Sequence, residues 1–382
     1  MDLSIIIVNW NTRDMLRNCL ASIPGQDGLQ KEIIVIDNAS EDGSAAMVAG
    51  EFPDVRLIRN DANLGFATAT NQGLRAAGGR HLLLLNSDTL VLGDVLADSV
   101  RYMDEHADVG MMGCRVLNED GTTQMTCSRY PSFFNLLLQT LGLNRLARPR
   151  WLQRYQMLDW ARDDERDVEV ISGCYLLVRR TTLAQVGLLD ESFFLYGEET
   201  DWCRRCAEAG WRLVFAPVGS IVHHGSGSSR KLNYKRDLML TEGTVRLHRK
   251  HGGAPAALSI WLLLLVFNVS RSAYWSVRAV ADSTGATRSR ASHFRQVVRH
   301  FTHAWPATAV RDAERLVQVE VHHVEAHVSG ARAAHDGVHV GAVHVEPAFD
   351  CFDDRRDLHD VGLEEPQGVG VGDHDARGPG PT

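Results

Sequence analysis

Leu3-Ser4-Ile5-Ile6-Ile7-Val8 is a short, largely β-branched apolar run that breaks off into Asn9-Trp10-Asn11. A strand with one wet face would alternate apolar and polar residues, whereas this run suits a strand covered on both faces. Asn11-Thr12 is a candidate cap, and Leu16, Cys19, Leu20 and Ile23 follow at helical spacing. Ile33 to Ile36 repeats the strand signal and ends at Asp37-Asn38-Ala39-Ser40-Glu41-Asp42-Gly43-Ser44. Val55 to Ile58 reads as a third strand, Phe66 to Ala77 as a helix, and Leu82 to Leu85 as a fourth strand ending in Asn86-Ser87-Asp88. The alternation predicts an α/β fold with a mostly parallel, doubly wound sheet. Ligands of such sheets gather beyond the carboxyl ends of the strands. The polar residues Asn9, Asp37, Asn38, Asn63, Asn86 and Asp88 collect at those ends.

The 382 residues suffice for one large core or two domains, and 44% apolar with 23% charged residues is ordinary for a globular chain. A net charge of −8 gives no sign of nucleic-acid binding. Seven cysteines without regular spacing point to a reducing compartment. Cys203-x-x-Cys206 has no second pair to complete a zinc site and reads as helix packing. The first residues lack a basic region and their apolar run is short for a signal peptide, so the fold is expected to begin at once, in the cytoplasm.

Gly113 to Asp167 is irregular, with aromatic, Leu and Arg clusters expected to form helices and loops over the site. Val170 to Val178 returns to strand character around Ser172-Gly173. Next comes Phe193-Phe194-Leu195-Tyr196-Gly197-Glu198-Glu199-Thr200-Asp201-Trp202, with three carboxylates at a helix start closing near Gly210. Aromatic neighbours can raise a carboxyl pKa and fit it for general-base work, although acids at a helix N-terminus also simply complement its dipole. On a helix Glu198 and Asp201 share a face and Glu199 points about 100° away. Asp201 is spaced to pair with Arg205, a structural role. Leu213 to Ala216 is a further strand, leading to His223-His224.

Ala256 to Val269 is almost wholly apolar but short of the roughly 20 residues of a spanning helix. Tyr274, Trp275 and Arg271, Arg278, Arg288, Arg290, Arg295 and Arg299 follow it, a mixture that suits an interfacial anchor on an anionic membrane. A core helix or an oligomer contact would have the same apolar run. From about Val310 a His-, Val-, Asp- and Gly-rich stretch shows no core pattern and no repeated ligand spacing. The expected organisation is a catalytic domain over 1–250, an apolar and basic helical segment over 251–309, and a disordered tail over 310–382.

Several strand-end groups carry chemistry in more than one way. Asp88 is an oxygen ligand suited to Mg2+ or Mn2+, which would neutralise a departing diphosphate, or it caps the next helix. Asp37 can accept the imide N–H of a uracil or thymine, or it shapes a turn. Asn63-Leu64-Gly65-Phe66 opens a helix whose N-terminal amides suit an anion. Adjacent histidines on an extended segment point in opposite directions, so at most one of His223 and His224 faces the site.

Taken in order, these segments resemble the inverting glycosyltransferases of family 2, which have the GT-A fold, and within them the rhamnosyltransferase-like branch. The matching stretches are 4–11, 37–44, 63–67, 85–88, Ile171-Ser172-Gly173, 186–191 and the acidic run, within residues 3–250. The resemblance implies donor contacts at Asn9, Asp37, Asn63, Gly65 and Asn86, and a metal held by Asp88 and His223. Asn86 stands where the family's DxD-type motif has its first Asp. Glu199 occupies the position of the catalytic base, one methylene longer than the usual Asp, with Glu198 as substitute. The implied partners are a nucleotide-diphosphate sugar (dTDP-rhamnose first, or a UDP-sugar), a lipid-linked saccharide acceptor, and the inner face of the cell membrane. A dehydrogenase is disfavoured because no GxGxxG follows the first strand. A processive synthase is disfavoured by the missing Q-x-x-R-W. A non-catalytic sugar-nucleotide-binding protein would keep Asp37 but need no acid cluster.

Overall fold

Ile5, Ile6 and Ile7 of the first strand, β1 (Leu3–Asn9), are at most 1% exposed. Ile5 and Ile7 join one core cluster while Ile6 joins another, so the strand is covered on both faces as its unbroken apolar run requires. The computed structural model describes residues 1–23, 25, 28–143, 150–225, 234–281 and 284–306, all within one compact unit. The expected tail at 310–382 lies outside the described residues.

The chain continues through α1 (Arg13–Ser22), β2 (Lys31–Asp37), α2 (Ser44–Glu51), β3 (Arg56–Arg59), α3 (Phe66–Ala76), β4 (His81–Leu85), β5 (Thr89–Val91), α4 (Val95–Glu105) and β6 (Val109–Leu117). After β7 (Cys127–Ser128) and α5 (Phe133–Thr140) come β8 (Arg166–Asp167), β9 (Val170–Ile171), β10 (Tyr175–Arg179), α6 (Arg180–Val186), α7 (Glu198–Glu208) and β11 (Arg212–His223). The main sheet runs β3-β2-β1-β4-β10-β6-β11-β5, with β8 on β11. The strands β3, β2, β1 and β4 pair in parallel. β10 enters antiparallel between β4 and β6, while β11 lies parallel to β6 and antiparallel to β5. This is the mostly parallel α/β arrangement that the alternation predicts. The antiparallel insertion brings the chain beyond Ser172-Gly173 back beside Asn86, whose N–H donates to the Cys174 carbonyl at 3.2 Å.

Two local expectations shift. The strand expected over Leu213 to Ala216 continues as β11 to His223, with its register against β6 broken between Phe215 and Ser220. Pro217 lies in that gap and has no N–H to give the ladder. The apolar segment belongs to a longer helix, α8 (Tyr234–Ala281), which crosses the expected boundary at 250 and breaks at Gly253 (φ 74°, ψ −174°). Pro255 follows the break, where no continuous helix could accommodate it. Ala257, Ile260, Leu264 and Phe267 of the second half are buried, and α9 (Gly285–Arg299) packs back along α8. The opposite stripe of Leu258, Leu262, Val266, Val269, Val277 and Val280 is exposed. Cys19, Cys114, Cys127, Cys174, Cys203 and Cys206 are buried and free.

Candidate active site

Strand register assembles the first part of the site. Asn9 and Asp37 end β1 and β2 as direct partners, so their side chains meet at the strand ends. Asn9 Nδ2 donates to Asp37 Oδ1 at 3.3 Å and to Ser40 Oγ at 3.1 Å. The Ser40 N–H donates to Asp37 Oδ2 at 3.2 Å. Thr12 Oγ1 closes the set on Asn9 Oδ1 and contacts Ser87 Oγ at 2.9 Å. Asp37 is thereby held in one orientation, and its oxygens keep lone pairs for another donor.

Asn63 and Gly65 serve the neighbouring loop. Asn63 Oδ1 accepts from Asn38 Nδ2 at 2.8 Å and from the Gly65 N–H at 3.0 Å. Gly65 has φ 81° and ψ 169°, a region open essentially only to glycine. A Cβ there would fall 2.5 Å from the Phe194 carbonyl oxygen, which also accepts from the Phe66 N–H at 2.8 Å. The segment before the acidic run therefore rests directly on the opening of α3.

The metal candidates lie at the other edge. Thr89 of β5 pairs with His223 of β11, which brings the imidazole beside Asp88. Both residues are fully buried. Gln124 Nε2 donates to the His223 carbonyl at 2.7 Å, leaving its Oε1 to accept from His223 Nδ1 at 3.0 Å. That assignment puts the ring proton on Nδ1 and leaves the Nε2 lone pair facing Asn86 Nδ2 and Asp88 Oδ1, each at 3.3 Å. The Asp88 contact is close but not aligned as a hydrogen bond, and neither carboxylate oxygen of Asp88 has a hydrogen-bond partner among the described residues. A buried carboxylate without donors is costly, and a cation beside it removes that cost. An imidazole whose far nitrogen is held by a second residue is a familiar ligand arrangement. Asp88 and His223 thus fit a divalent metal. His224 faces away and pairs with Glu119 at 2.7 Å.

The acidic run lies behind two left-handed residues, Tyr196 (φ 71°) and Gly197 (φ 95°). Gly243 of α8 backs this turn so closely that a Cβ would lie 2.3 Å from the Tyr196 carbonyl oxygen. Glu198 and Glu199 open α7 and are 2% and 4% exposed, each with its Oε2 without a partner among the described residues. Burial, and then the Glu199 charge, pushes Glu198 well above the ordinary range. Burial raises Glu199 too, but backbone N–H groups and the Glu198 side chain oppose the rise. Burial thus holds both acids above the ordinary carboxylate range, and the two titrate as a pair. Asp201 is fully buried and accepts from Arg205 Nε at 2.9 Å, Lys250 Nζ at 2.9 Å and His251 Nε2 at 2.8 Å. The i,i+4 pairing with Arg205 follows from helix geometry; Lys250 and His251 do not.

Sequence reasoning missed Gln124, Lys250 and His251. Gln124 lies in a loop without motif character, and the other two lie in an ordinary basic stretch of α8. Among the described residues, three of the five non-glycine residues at positive φ, Asn11, Ala39 and Tyr196, border the site. Such strain marks segments whose conformation the surroundings impose.

A family model described as glycosyl transferase family 2 matches residues 4–186. The N-acetylglucosaminyl-diphospho-decaprenol L-rhamnosyltransferase of Mycobacterium tuberculosis is 27% identical over 242 residues, 59% of this chain and 77% of that protein. The rhamnosyltransferase WbbL of Escherichia coli is 23% identical over 236 residues, 59% of this chain and 84% of that protein. Among solved structures, the mannosyltransferase PcManGT from Pyrobaculum calidifontis, in complex with GDP-Man and Mn2+, aligns with a TM-score of 0.47 at 17% identity, covering 83% of this chain and 86% of that one.

Proposed function

Because a family model described as glycosyl transferase family 2 matches residues 4–186, we propose that this chain moves a hexose, with inversion, from a nucleotide-diphosphate donor to an acceptor hydroxyl in cell-envelope glycan synthesis. The observation that carries the reading is Asp88: a fully buried carboxylate, both oxygens without a partner among the described residues, beside an imidazole nitrogen that Gln124 has oriented. Structural carboxylates in this molecule, Asp201 above all, have their donors.

Asp37, steadied by Asn9 and Ser40, accepts the imide N–H of the nucleotide base. Asp88 and His223 would hold Mg2+ or Mn2+, which on binding supplies countercharge for the departing diphosphate. Glu199 takes the proton of the acceptor hydroxyl as that oxygen attacks the anomeric carbon opposite the leaving group. Glu198 keeps its own proton and excludes water from the same space. dTDP-rhamnose is the first donor to try, ahead of UDP-sugars, since two relatives are named as rhamnosyltransferases. A lipid-linked saccharide is the proposed acceptor. The exposed apolar stripe of α8 supports a peripheral seat on the cytoplasmic face of the membrane, and the most apolar window of this helix is only 28% buried within the chain.

The test is donor binding by thermal shift, with Mg2+ or Mn2+ and again with chelator. Wild-type chain should be stabilised by the donor only with metal, and Asp88→Ala should lose that stabilisation. Equal donor affinity in Asp88→Ala, with and without metal, would remove the metal role. Release or transfer of a labelled sugar then separates an enzyme from a mere sugar-nucleotide binder.

A further inference from the structure

The aromatic and arginine cluster of the irregular middle region has no part in the chemistry above. α5 buries Asn135, Leu136, Leu138 and Gln139 on its inner side. Its outer side is apolar as well: Phe133 and Phe134 are each 45% exposed, and Leu141, just past its end, is 61% exposed. Trp151, in the short turn Arg150–Gln153, is 50% exposed and stacks on Phe134 with centroids 6.0 Å apart and planes 18° from parallel. A helix facing water would have polar residues there.

The charge of the sequence that carries these rings is one-sided. From Pro131 to Leu158 there is no Asp or Glu, but there are Arg145, Arg148, Arg150 and Arg154, in a chain whose net charge is −8. Aromatic residues in a stretch of sequence that has arginines and no acids match the chemistry of an anionic bilayer surface, where rings enter the headgroup layer and guanidinium groups meet phosphates. The patch is also connected to the apolar helix. α5 packs against α8, and the Tyr130 ring lies 5.9 Å from that of His248, shortly before the break at Gly253.

We infer that Phe133, Phe134, Leu141 and Trp151 form a second membrane-contacting patch, which grips an anionic lipid surface together with the exposed stripe of α8. The inference rests on the proposed membrane seat of α8 and adds a contact on the segment that follows Gln124, the residue bonded to His223, beyond β7. A chain held at two places cannot swing freely about the Gly253 break.

Full-length chain is sedimented with vesicles of phosphatidylglycerol and phosphatidylcholine, and with phosphatidylcholine alone. Phe134→Ser/Trp151→Ser should bind the anionic vesicles at least about tenfold more weakly, the loss expected when the burial of two aromatic rings is removed. Its metal-dependent donor shift should remain. Arg154→Glu, an exposed single change, should weaken binding to the anionic vesicles and not to the neutral ones. Val266→Asp/Val277→Asp, in the α8 stripe, should also weaken binding. If that variant loses binding while Phe134→Ser/Trp151→Ser binds like wild type, the second patch is wrong and the α8 seat stands. If wild type ignores anionic vesicles, both are wrong. A change from dimer to monomer in Phe134→Ser/Trp151→Ser would make a second copy the occupant and overturn the lipid assignment.

Discussion

Two residues apart in α7, Glu199 and Asp201 are both buried, and their surroundings are opposite. Asp201 receives donors from Arg205 on its own helix and from Lys250 and His251 on α8. Glu199 has one oxygen without a partner among the described residues, Glu198 beside it in the same state, and a pKa pushed upward by burial. The same contrast recurs at the strand ends, where Asp37 is hydrogen-bonded on both oxygens and Asp88 on neither. Burial alone does not ready a carboxylate for a cation or a proton; an oxygen left without a donor does. Asp201, engaged by three donors, holds the frame, whereas Asp88 and Glu199 each keep an oxygen without a partner among the described residues.

The hardest blow to this contrast would come from Glu199→Gln. Loss of a general base typically costs about 10²–10⁴ in rate, so transfer should almost vanish while metal-dependent donor binding persists. Turnover near wild type would move proton abstraction elsewhere, to Glu198 first. Asp201→Asn should act on stability instead. Breaking a buried ion pair costs about 3–5 kcal/mol, so its denaturation midpoint should fall well before donor binding changes at low temperature. An unshifted midpoint would mean that the basic partners of Asp201 do not hold α8 against α7.

Smaller effects sharpen the comparison. Gln124→Leu removes the partner that orients His223, and should weaken metal binding about 10–100-fold, measured by metal titration. Unaltered affinity would show that the imidazole needs no such support. The mildest change is Glu198→Gln. Both glutamates have folded pKa values above their unfolded ones, so as pH rises past the ordinary glutamate range the unfolded chain has released protons that the folded chain still holds. Stability therefore falls with rising pH over that window. Glu198→Gln should raise the melting temperature at pH 8 and change it little at pH 4; no gain at pH 8 would show that the buried acid is not strained. In wild type, activity should fall as pH drops through the raised pKa of Glu199, above the usual carboxylate range.

Much of the frame is local and was legible. The β-branched runs at Leu3 to Val8 and Ile33 to Ile36 leave only a doubly covered strand as their consistent reading, and polar residues closing such strands must lie at the sheet's carboxyl edge. Helix periodicity by itself separates Asp201 from Glu199. The insertion of β10 between β4 and β6, the extension of β11 across Pro217, and the length of α8 were not legible, because each depends on which distant segments pair. At Asn63 and Gly65 the resemblance implies donor contacts, and the fold adds what no local pattern shows: Asn63 bonds Asn38 and the Gly65 N–H, and Gly65 abuts Phe194 ahead of the acidic run.

By itself the sequence determined the strand ends, the residue types gathered there and the family resemblance they carry, since these follow from side-chain chemistry and from periods of two and 3.6 residues. Only the tertiary structure decided which acids are satisfied. Gln124 reaches His223 across 99 residues, and His251 reaches Asp201 across 50. A carboxylate's readiness to bind or to take a proton depends on the donors around it in space, and no local pattern records them.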